Sequence, residues 1–388
     1  MFQGQTILRI PGPTPIPPTV EQALSRPMIG HRSGEFSKLF AETAERLKLV
    51  FQTEQDVAIL AGTGTAGLEA AVANTVSPGD TVLVCTAGNF GERFIKIVKS
   101  YGGRVLVLEA PWGERIAPDA VRRELEQHPE IKVVFATHCE TSTGVLHDIE
   151  GISKAVRETE ALLVVDAVSS LGATDLPMDR WGVDIVVTGS QKAFMLPPGL
   201  CFLALSERAW QVVEQNDSPR FYFDLRSYRK KLAERTTPYT PAVSLIFGLA
   251  EVLNLIEQEG LQQVFTRHLL MRDMVRAAGR ALGLPLFCSD EAGAPTVTSF
   301  SGNGFDVEAL RKVLRTEFGI VIAGGQQHLK GQIFRIGHMG YCTPLDMLQV
   351  LAALELALLR VGAAVELGAG VRAAGQVYLN AKEALKHA

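Results

Sequence analysis

Lys192 lies in the stretch Asp184–Gly199, DIVVTGSQKAFMLPPG, just past the point where an apolar run ends. Ile185 to Val187 reads as a buried strand that breaks at Gly189 and delivers Ser190, Gln191 and Lys192 before a Pro-Pro-Gly turn. Lysine is ordinarily a solvated surface charge. Placed among apolar residues and kept partly neutral, it becomes a nucleophile for carbonyls, able to form a Schiff base. A second apolar run, Ala161 to Val165, ends in Asp166. A carboxylate there lies where open parallel sheets collect ligands, or else it caps the next helix, and Asp166 alone fits both readings. Arg335 interrupts an apolar strand between Phe334 and Ile336. Buried, it needs an anion, either an acidic partner in the protein or a substrate carboxylate matched to the guanidinium fork.

Lysine and aspartate together say more than either alone. A pyridoxal phosphate enzyme must supply an amine for the cofactor's aldehyde and an acid that keeps its pyridine nitrogen protonated. The turn Gly62–Gly67, GTGTAG, has the G-x-G-x-x-G spacing of a dinucleotide site, following a strand and opening a helix. A dinucleotide reading also needs an acid near the end of the second strand, yet VLVCTAGNF has none and Asp80 comes too early. A single phosphate asks for less. Thr63, Gly64 and Thr65 offer it N–H groups and hydroxyls in the field of a helix N-terminus. His138 and Cys139 are adjacent without a second spaced pair, so no metal site is expected.

These residues need a scaffold, and the pattern from Val57 onward supplies one. Strand candidates VAILA, TVLVCTAG, RVLVLEA, KVVFATH, ALLVV, DIVV and LCFLAL alternate with helical stretches. Such alternation predicts an α/β fold with a mostly parallel sheet flanked by helices. Before it, IPGPTPIPP is too proline-rich for helix or central strand and reads as an extended arm, residues 1–18, lying on other structure. A large domain is expected over 19–283 and a smaller α+β domain over 284–388, the latter with strands TVTSF and IFRIGHMG and a helix near Val307–Phe318. The chain of 388 residues is 47% hydrophobic, enough for a sizeable core, and its net charge of -4 argues against nucleic acid or an anionic membrane surface as partner. Five scattered cysteines with no C-x-x-C suit a reducing cytoplasm. The start, MFQGQTILRIPGP, lacks the features of a secretion signal, and Leu348–Leu359, interrupted by Glu355, reads as a packed helix rather than a span.

VDAVSSLG, TGSQKAFMLPPG, PGPTPIPP and FRIG together resemble the class V aminotransferases, fold type I pyridoxal phosphate enzymes, and within them the alanine-glyoxylate and serine-pyruvate group. The resemblance spans almost the whole chain. It implies that Lys192 holds pyridoxal 5'-phosphate and, with Asp166, is catalytic. It implies phosphate contacts from Thr63, Gly64, Thr65 and Gln191, and cofactor contacts from Val168 and from Thr141, near the phenolic oxygen. It places Phe90 on the ring face, where relatives often have tryptophan, and Arg335 on the substrate carboxylate. The family is dimeric, each site completed by the neighbouring subunit, and PYTP matches the segment that reaches the partner's phosphate, so Tyr239 and Thr240 are candidates. His31 and Arg32 border the substrate entrance in such enzymes; otherwise they form a solvated turn.

The implied reaction carries the amino group of alanine or serine to glyoxylate or pyruvate. A phosphoserine aminotransferase has a similar His-Arg pair at its entrance, which keeps an anionic side chain, aspartate included, open. A cysteine desulfurase needs a cysteine on a mobile loop of the small domain; AGGQQHLKG has none, and Cys342 follows the arginine strand. A dehydrogenase would use GTGTAG for NAD. A non-catalytic interaction protein has no need of Lys192, Asp166 and Arg335 together.

Overall fold

A computed structural model describes residues 6–384 and contains thirteen strands among them. In chain order these are β1 (Ile7–Arg9), β2 (Val57–Gly62), β3 (Thr81–Thr86), β4 (Arg104–Glu109), β5 (Ile131–Thr137), β6 (Cys139–Glu140), β7 (Val145–Leu146), β8 (Leu162–Asp166), β9 (Ile185–Gly189), β10 (Gly199–Leu205), β11 (Val297–Ser301), β12 (Ile320–Gly324) and β13 (Ile333–Gly337). Seven form one sheet in the order β2-β10-β9-β8-β5-β3-β4. Only β10 runs against the rest, pairing antiparallel with both β2 and β9. The link from β9 to β10 is too short for a helical crossover, so β10 must return beside β9. The interior strands β3, β8 and β9 are buried along their whole length, as their continuous apolar runs require, whereas edge strand β4 is half exposed.

Alternate residues of this sheet feed two cores. Leu163, Val165, Val186 and Phe202 pack on one side with Phe247 and Leu253 of helix Val243–Glu259. Val164, Ile185, Val187 and Leu203 pack on the other with Leu68 and Val72 of helix Gly64–Thr75. The alternation follows from the two-residue period of a strand. Helix Gly64–Thr75 sits close: a Cβ on Gly67 would stand 2.6 Å from Val187 Cγ1.

A four-stranded sheet, β1-β12-β13-β11, forms the second layer system, with β1 parallel to β12 and the other pairs antiparallel. Helices Leu261–Ala281, Val307–Phe318 and Pro344–Arg360 close its core around Phe300, Phe334 and Ile336. Met271, Met274, Val275 and Ala278 belong to this core, so we propose drawing the boundary of the smaller domain inside helix Leu261–Ala281 and assigning β1 to it. Glu355, which interrupts the apolar run of helix Pro344–Arg360, is buried and accepts from the N–H groups of Gly368 and Val371. Among the described residues no helix is long and apolar enough to cross a membrane.

One consequence of the topology matters for chemistry. Strands β2, β3, β5, β8 and β9 share a direction, so the loops after them, carrying Thr63, Phe90, Thr141, Val168 and Lys192, open at the same edge.

Candidate active site

Lys192 projects from the β9–β10 turn and is half-buried. Burial is the main cause that lowers its ammonium from 10.5 to about 8, with Arg335 and Arg93 adding to the fall and Cys139 and Asp166 opposing it. Its Nζ donates to the carbonyl of Pro11 in the N-terminal arm. The arm is fixed there by Thr14, whose N–H donates to Gln191 O at 3.1 Å and whose hydroxyl donates to Lys192 O at 2.9 Å. Gly12, with φ +118°, passes so near that a Cβ would lie 2.5 Å from Lys192 Cδ.

Asp166 ends β8, and its register partner on β9 is Val187, which sets it beside the lysine turn. The carboxylate is buried and takes one hydrogen bond, from Val168 N at 2.9 Å. Burial pushes it up from 3.8 to about 6, against the pull of that N–H and of Arg93. Val168 also presses on the start of helix Gly64–Thr75: a Cβ on Gly64 would be 2.6 Å from Val168 Cγ2, so only glycine fits. Thr63 is the N-cap of that helix with no side-chain capping bond, which leaves first-turn N–H groups without an intrahelical partner. Gln191 Oε1 is buried and has no donor. Lys192, Asp166, Gln191, Val168, Thr63, Gly64, Thr65, Phe90 and Thr141 all line one cavity of about 210 Å³. A wider groove of about 580 Å³ lies on the surface by Lys38, Glu45 and Asp56, but its charges pair with one another in solvent.

The far wall depends on Glu140, which sequence reasoning passed over. Its buried carboxylate accepts from Phe90 N at 2.9 Å, Gly91 N at 3.0 Å and Ser142 N at 3.0 Å, and from the Ser142 hydroxyl. All four partners are donors, so the ionised form is the one that fits, although burial raises its pKa. One carboxylate thus ties the loop bearing Phe90 to the loop bearing Thr141. Thr141 Oγ1 stands 2.9 Å from Ser169 Oγ, and its carbonyl accepts from Arg335 Nη1 at 2.6 Å. Arg335, on interior strand β13, also donates from Nε to Gly324 O at 2.9 Å. Both partners are carbonyls, and part of the five-donor fork is left over. Burial lowers its pKa to about 10, still charged at neutral pH. Arg335 reaches the site through Thr141 and is not itself part of the cavity lining.

The family model described as Aminotransferase class-V matches residues 17–342. The chain is a class V aminotransferase. It is 44% identical over 380 residues to the "Soluble hydrogenase, small subunit" of Synechococcus sp., covering 97% of this chain and 99% of that one. It is 40% identical over 386 residues to the L-aspartate--glyoxylate aminotransferase of Paracoccus denitrificans, covering 97% and 96%. The crystal structure of ureidoglycine-glyoxylate aminotransferase from Bacillus subtilis superimposes with a TM-score of 0.93 at 35% identity, over 97% and 99% of the two chains. The large, mostly parallel sheet is therefore that of fold type I aminotransferases, as the sequence led one to expect.

Not every expected residue joins the aminotransferase's cavity. Tyr239 and Thr240 stand apart from it; Tyr239 stacks on Tyr222 with ring centres 5.0 Å apart and donates to Phe221 O at 3.0 Å. Arg32 turns toward this loop, donating from Nη1 to Thr236 Oγ1 and Thr237 O, each at 2.6 Å. The dinucleotide reading of GTGTAG finds no support, because Asp80 serves its own turn by accepting from Ser77 N at 2.8 Å. Cys342 is buried with its thiol toward Met271 Sδ at 3.6 Å. Residues given no role in the site by the sequence also line the cavity: Gly12, Arg93, Cys139 and Ser169. Gly12 and Ser169 lie within PGPTPIPP and VDAVSSLG, two of the motifs that carry the resemblance, whereas Arg93 and Cys139 lie outside all four.

Proposed function

We propose that the enzyme binds pyridoxal 5'-phosphate at Lys192 and moves the amino group of alanine or serine to glyoxylate or pyruvate. The observation that carries this reading is the convergence of Lys192, Asp166 and the start of helix Gly64–Thr75 on one cavity of about 210 Å³. The residues fit the cofactor on three counts: an amine held near neutrality, a buried carboxylate with no cation in ion-pair contact among the described residues, and a helix start without a side-chain cap, which presents first-turn N–H donors to an anion.

When bound, pyridoxal phosphate supplies an electron sink that lets the Cα–H bond of an amino acid ionise. The chain's own groups do the rest. Burial lowers Lys192 from 10.5 to about 8, so more of it is neutral near pH 7 than of a solvated lysine, and Nζ could take the Cα proton and return it. Asp166, ionised above about 6, would keep a proton on the ring nitrogen. Thr63, Gly64, Thr65 and Gln191 would hold the phosphate, and Phe90 and Thr141 would contact the ring. Arg335, anchored on two carbonyls, offers its remaining donors to the substrate carboxylate.

Glyoxylate as acceptor is supported by the names of the L-aspartate- and ureidoglycine-dependent relatives. Aspartate as donor is the second reading, favoured by the first of these at 40% identity. We further propose a cytoplasmic homodimer in which Tyr239 and Thr240 reach the partner's phosphate; five free, buried cysteines are consistent with a reducing compartment.

The test is a half-reaction screen. Cofactor-loaded protein is mixed with single amino acids, and the visible band of the lysine-bound cofactor should fade with alanine or serine. Borohydride should fix the cofactor's mass on Lys192, and Lys192→Ala should lose both the label and turnover. A label on another lysine, or a purified protein that takes up no cofactor, sinks the assignment.

A further inference from the structure

The phosphate assigned above brings roughly two negative charges to the start of helix Gly64–Thr75. Every group given to it so far within one protomer is neutral: hydroxyls, backbone N–H groups and the Gln191 amide. Among the residues that line the cavity the side-chain cations are Lys192, committed to the aldehyde carbon, and Arg93.

Arg93 sits in the first turn of helix Gly91–Ser100, the end where the helix dipole disfavours a positive charge. Its guanidinium lies 4.8 Å from the centre of the Phe90 ring, and Nη1 donates to Thr65 Oγ1 at 3.1 Å. That bond carries the cation onto the first turn of the phosphate-facing helix, so two positive helix ends meet around it. Both contacts are neutral, and no carboxylate is in ion-pair contact with Arg93 among the described residues. Glu92, in the same first turn, accepts from Gln327 Nε2 at 3.0 Å, and the Glu140 carboxylate is engaged by Phe90, Gly91 and Ser142. A half-buried cation in such surroundings is unfavourable by itself and becomes favourable once an anion arrives.

We propose that Arg93 is a cofactor-binding residue that bonds and charge-balances the phosphate monoester at Thr63–Thr65 while its flat face supports Phe90. The inference rests on the pyridoxal phosphate reading and adds to it a charged ligand from the same protomer. The planar fork suits the role: it can keep Thr65 on one nitrogen and offer others to phosphate oxygens, whereas a lysine would keep the charge and lose the fork and the stacking.

Equilibrium binding of two probes separates this role from general support of the site. Pyridoxal 5'-phosphate and pyridoxal, which lacks the phosphate, are titrated into cofactor-stripped wild type, Arg93→Gln and Arg93→Lys, with the visible band as the readout. Arg93→Gln should weaken the phosphorylated probe roughly ten- to a hundredfold and leave pyridoxal nearly unchanged, and Arg93→Lys should fall between. Equal losses for both probes, or none, overturn the proposal, as does unchanged cofactor affinity with a raised KM for an anionic amino acid. If Arg93→Gln does not fold, Arg93→Lys alone decides by the same ratio of the two affinities. Wild type that binds neither probe overturns the cofactor reading, and this inference with it.

Discussion

Asp166 is needed by the proposed cofactor and burdens the protein that lacks it. Burial raises its carboxyl from 3.8 to about 6, so in the window between those values the folded chain holds a proton that the unfolded chain has released. Stability therefore falls as pH rises through that window and stays low above it. The full move is worth at most about 3 kcal/mol, a large share of a typical domain's net stability. Asp166→Asn removes the charge and keeps an oxygen for Val168 N, so the cofactor-stripped variant should be more stable than stripped wild type by about 1–3 kcal/mol at pH 8. The advantage should shrink to about half a kcal/mol by pH 4, where both folded proteins are neutral at this position and the unfolded carboxyl is part-protonated. Urea unfolding of the two stripped proteins at pH 4, 5, 6 and 8 measures it. Adding cofactor should reverse the order, because only the carboxylate can hold a proton on the ring nitrogen. A gain that does not vary with pH, or no gain at all, would refute the argument that an unneutralised buried charge resides at Asp166.

Two further outcomes follow from the same geometry. Arg335→Ala should raise KM for amino acid and oxo acid alike, by roughly a hundredfold, with a smaller fall in kcat, as steady-state kinetics with both substrates would show; an unchanged KM removes Arg335 from the substrate's carboxylate. Sedimentation should give twice the monomer mass. A mixture of inactive Lys192→Ala with inactive Tyr239→Ala/Thr240→Ala chains should regain activity, since a mixed dimer holds one site with an intact lysine and an intact neighbouring loop; full activity at monomer mass contradicts the shared site.

The seven-stranded sheet was legible because its strands are apolar runs at regular spacing, and the edge that carries the candidate site because α/β sheets gather ligands where parallel strands end. Asp166 and Lys192 close β8 and lie just past β9, and the pairing of those strands makes them neighbours. What the sequence could not show are contacts between distant segments. The proline-rich arm reads as an extended piece lying on something; that the something is Lys192, through Pro11 O and the close approach of Gly12, depends on a separation of some 180 residues for which local pattern has no signal. β1 is similar: three residues near the chain start pair with β12, which no periodicity announces.

Glu140 and Arg335 show a second limit, in which the residue type is informative and its meaning depends on the partner. A buried arginine in an apolar strand leaves open a protein acid or a substrate; among the described residues no acid bonds Arg335, which donates to two carbonyls and feels the charge of Glu140 at longer range. Glu140, in a run of hydroxyl residues, gives no hint that it will vanish from solvent, because its four donors come from two separate loops. Its burial is sustained by those bonds, and the same bonds fix where Phe90 and Thr141 stand. The enzyme's chamber is thus held on one side by strand order, which a sequence pattern encodes, and on the other by a single carboxylate joining loops some fifty residues apart.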